Sequence, residues 1–228
     1  MGLVAKPASS LHPAPAPATG RPRALACGRP ADDPRCAGCA QLGTFRAIRR
    51  AGLAVRGGLG CDPEARRVVP PPGARWAEVA GARHVHGAGA RGLLLRAARD
   101  GASLVVVGDV GDVARALRVA DALRAAGAAA VVADPSDVPG VEAAVARAAR
   151  STDLVALVAL APCVRGDPPR AAPHVAPARC NRCGACVGLA CPAIRDDGGD
   201  AVVIDPSVCT GCRLCEPLCR AGAIVRPT

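Results

Sequence analysis

The chain of 228 residues has no tyrosine, one phenylalanine and one tryptophan. Binding of single-stranded nucleic acid needs aromatic rings on which bases stack, set along a basic groove, and this sequence has almost no rings to offer. Lysine is nearly missing as well. Lys6 is the only one, so the net charge of +10 comes from arginine. Those arginines are scattered, with no basic run, unlike the clustered footprint of a nucleic-acid binder. Nucleic acid is therefore not an expected partner, whereas an acidic protein suits the charge. No stretch approaches the ~20 apolar residues of a membrane span. The opening stretch MGLVAKPASSLHPAPAPATGRPR lacks the apolar middle of a signal peptide, and Lys6 breaks the myristoylation pattern. A cytoplasmic protein is the expectation.

Thirteen cysteines are what the chain does have. In a small secreted protein they would suggest disulfides; in a reducing cytosol they read as metal ligands. Alanine and valine carry most of the apolar content, so any core must be built from small side chains. Residues 1–35 form a Pro/Ala-rich tail without periodicity, expected to be disordered. From Cys36 helix and strand patterns alternate. Thr44–Ala51 reads as a short helix, Leu53–Arg56 as a strand, Asp62–Trp76 as loop, and Gly92–Arg99 as a helix. Ser103–Asp109 (SLVVVGD), Ala129–Ala133 and Leu154–Leu160 read as buried strands of the parallel type. Between them Val113, Leu117, Ala120 and Leu123 repeat at helical spacing, and Asp134–Pro139 turns into a helix through Ala149. This order predicts an α/β fold with an open, mostly parallel sheet over 36–165. A Pro-rich linker over 166–179 leads to a small α+β domain over 180–228.

That last domain holds CNRCGACVGLACPAI (Cys180–Ile194) and CTGCRLCEPLCRAGAI (Cys209–Ile224). Two Cys-x-x-Cys-x-x-Cys runs, each closed by a fourth cysteine, are the ferredoxin arrangement for two [4Fe–4S] clusters, in which the fourth cysteine of a run ligates the other cluster. The expected sets are Cys180, Cys183, Cys186 and Cys219 for one cluster, and Cys209, Cys212, Cys215 and Cys191 for the other. Ile194, Val202–Ile204 and Ile224 would supply apolar cover. Structural zinc on four thiolates is the rival reading, but zinc ribbons use separated Cys pairs rather than three cysteines in one run.

The four-residue gap before Cys191, together with CPAI and the later CTGCRLC and GAI, resembles the C-terminal dicluster module of the indolepyruvate ferredoxin oxidoreductase α-subunit, with Arg220 where that family has Pro. Fainter likenesses precede it. CAGC (Cys36–Cys39) is similar to the CPGC that opens the family's thiamine-diphosphate-binding domain, and GGLGC (Gly57–Cys61) to its GDIGC. VVVGD (Val105–Asp109) is similar to the strand end whose Asp holds Mg²⁺. ADPSD (Ala133–Asp137) and APC (Ala161–Cys163) are similar to its VDPYD and RPC. Together the likenesses run from about Cys36 to Ile224. The family's N-terminal domains have no counterpart, and no Asn-containing Mg²⁺ loop follows Asp109. One Asp is too few for a diphosphate-bound Mg²⁺, and Asp109 reads equally as a helix cap. Tight thiamine diphosphate binding is therefore not expected.

The resemblance also implies that Cys36, Cys39, Cys61 and Cys163 stand where related 2-oxoacid:ferredoxin oxidoreductases hold a cluster. A third [4Fe–4S] cluster, a zinc ion or four separate thiols are the readings of this quartet. Cys27 is left in the tail, and His84 and His86 read as solvent-facing. The chain is thus expected to be an iron–sulfur electron-transfer protein, a truncated and non-catalytic relative of the oxidoreductase subunit. Its expected partner is a redox protein or oxidoreductase subunit, with an acidic carrier such as ferredoxin as the acceptor. The alternatives are an active subunit that completes a thiamine site with a partner chain, and a zinc-stabilised binding module.

Overall fold

The structure, a computed structural model, describes residues 37–59, 72–82, 85, 88–109, 112–162 and 169–227. The expected tail over 1–35, Cys27, Cys36, Cys61, Cys163, His84, His86 and most of the Asp62–Trp76 stretch lie outside these residues. So does the side chain of Asp109.

Five strands form one parallel sheet: β1 (Ala54–Gly58), β2 (Trp76–Gly81), β3 (Leu104–Asp109), β4 (Ala129–Ala133) and β5 (Val155–Leu160), in the order β1-β2-β3-β5-β4. In a parallel sheet covered by helices both strand faces are buried, so its strands are continuous apolar runs. Leu104 and Val106 of β3 face one layer, with Leu157 and Ala159 of β5. Val105 and Val107 face the other, with Ala156 and Val158. Helices α1 (Gln41–Arg50) and α4 (Val138–Ala148) cover the first face, and α2 (Ala88–Arg99) and α3 (Val113–Ala125) the second.

Two sequence expectations need correction. Trp76–Gly81, taken as loop up to Trp76, is the strand between β1 and β3. In α3 the buried residues are Ala116, Val119, Ala120 and Leu123, while Val113 and Leu117 are exposed at 58% and 50%. The i, i+3, i+4, i+7 stripe runs through the smaller side chains, which permit close approach to the sheet. Asp112 caps α3 by accepting the Arg115 N–H at 2.8 Å, and Asp137 caps α4 through Gly140 N–H.

The C-terminal region is built from two short antiparallel ladders. Strand β6 (His174–Val175) pairs with β9 (Ile224–Val225), and β7 (Ile194–Arg195) with β8 (Val203–Ile204). Within the expected linker, then, His174–Val175 already belongs to this region. Its core joins Leu189, Ile194, Val202, Ile204, Leu214 and Leu218 to Leu42 of α1 and Val138 of α4. The α/β unit and the cysteine-rich unit are packed on each other.

Candidate metal centres

Each cysteine run wraps through the same backbone sequence. The residues before and after the middle cysteine are left-handed in both: Arg182 (φ 52°) and Gly184 (φ 70°) flank Cys183, and Gly211 (φ 68°) and Arg213 (φ 67°) flank Cys212. Two left-handed residues turn the chain back on itself, which aims successive thiols at a common centre. A single 3₁₀ turn follows each third cysteine, Val187–Leu189 after Cys186 and Glu216–Leu218 after Cys215. The first run has one residue more, Ala190, left-handed at φ 58° with its N–H on Val187 O. This is the four-residue gap: the fourth residue caps the turn.

Around the first centre lies a small, partly open cavity lined by Cys180, Cys183, Cys186 and Cys219 and closed by Val175, Leu218 and Ile224 among others. Burial pushes the Cys186 thiol up to about 11, and the neighbouring Cys219 and Cys183 add to the rise. Around the second centre, burial pushes Cys191 up to about 11, with Cys212 and Cys209 contributing. It pushes Cys215 to about 12, with Cys212, Cys191 and Cys209 contributing. Cys212 is raised by burial and by Cys209. The fourth cysteine of each run thus stands beside cysteines of the other.

Backbone N–H groups point at these sulfurs. Gly211 donates to Cys209 Sγ at 3.4 Å and Ala223 to Cys219 Sγ at 3.2 Å. Cys191 accepts from Ala193 and Gly38, and Cys186 from Val187. Thiolates that bind metal carry negative charge, and N–H donors stabilise it. Eight thiols grouped in two sets, with such donors and an apolar surround, fit all-thiolate metal centres. Two Asp-Pro-Ser turns fix the approaches. Asp205 Oδ1 accepts from Ser207 Oγ at 2.6 Å and Ser207 N at 3.0 Å, as Asp134 does from Ser136 before α4. The Ser207 hydroxyl, then its N–H and Arg195, hold the Asp205 carboxyl below its ordinary range.

The α/β unit touches both centres. Gly38 (φ 77°) lies so close to the second run that a Cβ there would come within 2.0 Å of Thr210 Oγ1. Cys39, half-buried, packs on the same apolar cluster as Cys191, Cys209 and Cys212. Gln41 Nε2 donates to Ala159 O at 2.9 Å, which ties this turn to the C-terminal end of β5. Of the third quartet only Cys39 is described. Asp109 ends β3 in register with Leu160 of β5, at the sheet edge where open α/β folds bind ligands. Sequence reasoning missed Gly38 and the arginines of α1 that contact the first run; only the left-handed bias of glycine in CAGC could have flagged the former.

Residues 202–225 match the family of 4Fe-4S binding domains. Over 62 residues, 27% of this chain, the sequence is 45% identical to the indolepyruvate oxidoreductase subunit IorA of Methanothermobacter marburgensis. That match spans 9% of the relative's length. No solved structure matches the chain. Among the described residues no helix is long and apolar enough to cross a membrane. An α/β unit with a parallel sheet is therefore followed by an iron–sulfur binding region similar to part of an oxidoreductase subunit.

Proposed function

We propose that the chain relays single electrons through two [4Fe–4S] clusters, one on Cys180, Cys183, Cys186 and Cys219 and the other on Cys191, Cys209, Cys212 and Cys215. The observation that carries this reading is the crossed grouping of the thiols, the pattern of two-cluster ferredoxins. Three cysteines at two-residue gaps, repeated, are the run of such ferredoxins, whereas structural zinc sites use separated Cys pairs. When bound, the clusters store and pass single electrons; the protein supplies thiolates, N–H donors and apolar cover, and no side-chain acid–base step is required.

A gradient of burial suggests the route. Around the second centre Gly211, Leu214 and Cys215 are buried, and the α/β unit covers it through Gly38, Leu42 and Val138. Around the first, Asn181, Arg182 and Cys183 are exposed. Electrons enter on the α/β side and leave at Cys183 to an acidic one-electron carrier, such as a ferredoxin. The α/β unit is then a non-catalytic remnant of a thiamine-dependent domain.

Iron and acid-labile sulfide, measured after anaerobic reconstitution of the full chain, test this. About eight of each are expected for two four-iron clusters, and about twelve if Cys36, Cys39, Cys61 and Cys163 hold a third. The double substitution Cys183→Ala with Cys219→Ala should lower iron by only about four under the same assignment. A loss of about eight would show that each run keeps its own four ligands. Stoichiometric zinc without reducible iron would refute the relay. Calorimetric binding of Mg²⁺–thiamine diphosphate would point instead to an active subunit.

A further inference from the structure

Helix α1 buries an arginine where the α/β unit meets the first cysteine run. Arg46 is 6% exposed. Its Nη1 donates to the carbonyl of Ala185, the residue before Cys186, at 2.9 Å. A Cβ on Gly188 would come within 2.6 Å of the same Nη1, so the guanidinium lies against the loop that carries Cys186. One turn on, Arg49 Nη2 donates to Gly188 O at 3.0 Å. On its other side, Arg46 Nε stands 2.6 Å from Glu142 Oε1 of α4, an ion pair too oblique to count as a hydrogen bond. Arg50 Nε adds a contact to Glu142 Oε2 at 3.2 Å.

A buried ion pair is a poor source of stability, because desolvating two charges offsets their attraction. Two helices can be joined more cheaply by apolar side chains, as α1 and α4 already are at Phe45, Ile48, Val141 and Val145. The pair instead places a positive charge, one that arginine does not lose, beside a metal-ligand loop. Against the second cysteine run, among the described residues, the α/β unit packs Gly38, Cys39, Leu42 and Val138.

We infer that Arg46 sets the reduction potential of the cluster on Cys180, Cys183, Cys186 and Cys219, raising it above that of the second cluster, with Glu142 moderating the effect. The inference rests on the two-cluster reading. Adding an electron makes the site more negative, and a cation held in a low-dielectric contact stabilises that state over the oxidised one. Burial lowers the Arg46 pKa and Glu142 opposes this. The consequence is direction. One electron leaves the covered second cluster, which is oxidised, and reduces the first, which faces solvent.

Protein-film voltammetry of the reconstituted full chain, beside its iron and sulfide content, reads both couples. Arg46→Gln should lower one of the two potentials by about the equivalent of a tenfold change in the one-electron equilibrium, ~59 mV, and leave the other in place. Arg46→Lys should restore most of it. Glu142→Gln, which leaves the arginines uncompensated, should move the same couple upward. This opposite sign separates an electrostatic role from loosened packing, and Glu142→Gln serves if Arg46→Gln does not fold. Fully loaded variants with unmoved couples, or with both substitutions shifting a couple the same way, overturn the inference. A wild-type chain that takes up no iron would instead remove the two-cluster reading beneath it.

Discussion

Ala190 shows how much one residue can settle in a cysteine loop. A non-glycine residue in the left-handed region costs roughly 1–2 kcal/mol, and Ala190 stands there at φ 58°. What it gains is the hydrogen bond to Val187 O and the placement of Gly188 O under Arg49. In the second run Cys219 follows Leu218 directly and no such residue is needed. Ala190→Gly removes the left-handed cost but frees the unfolded chain by ~0.4–1 kcal/mol. The variant should therefore be level with the wild type or more stable by up to ~1.6 kcal/mol, a rise of at most ~6 °C for a chain of this size. Ala190→Val brings a β-branched side chain into a region such residues avoid and should melt several degrees lower. Anaerobic thermal unfolding checks both. A valine variant as stable as the wild type would mean that the loop does not hold the conformation described.

At the scale of elements, α1 closely approaches the turn that leads into α4. Gly43 lies mid-helix, where alanine is ordinarily better by about 1 kcal/mol. Here a Cβ would meet the carbonyl oxygen of Pro135 at 2.1 Å. Backbone cannot swing aside as a side-chain tip can, and overpacking of this kind costs about 1–3 kcal/mol. Gly43→Ala should thus destabilise despite its helix propensity, seen as a lower midpoint in denaturant. A stabilised variant would show that the two helices are free to part. These contacts explain what could be read in advance and what could not. β3 and β5 are legible because both faces are buried and Leu104–Val107 and Val155–Leu160 are unbroken apolar runs. β2 was not, since Glu78 interrupts its pattern; that carboxylate is held by Arg56 Nε at 2.6 Å, from the neighbouring strand. The eight C-terminal cysteines announce their sets because the spacing itself is the geometry of the loops. The pairing of His174–Val175 with Ile224–Val225 is non-local, and two-residue strands carry no periodicity. Arg46 is hidden for a similar reason: on the helix it is one of several arginines, and only the packing of α1 on the first run sets it apart.

At the scale of the whole molecule, the relay needs a partner for each end, and charge speaks to one of them. The net charge of +10 is nearly all arginine, and arginines 179, 182 and 220 are exposed in the region that carries the first centre. Arg182 is engaged by Asp196 at 2.8 Å, so its contribution is partly cancelled, but the surplus elsewhere remains. A positive surface speeds encounter with an acidic carrier by long-range attraction, and the gain disappears as salt shortens the Debye length from about 30 Å at 0.01 M to about 8 Å at 0.15 M. Stopped-flow oxidation of the dithionite-reduced chain, with dithionite removed, by an acidic one-electron protein acceptor should accordingly slow by about tenfold or more over that range, in line with electrostatically steered association. A basic acceptor should show the reverse trend, because the same field repels it. The comparison separates steering from a general effect of salt on the clusters, which would move both acceptors together. If the acidic acceptor is indifferent to salt while electron transfer remains fast, the exit lies away from the basic surface, and the exposed edge at Cys183 is not where the carrier docks.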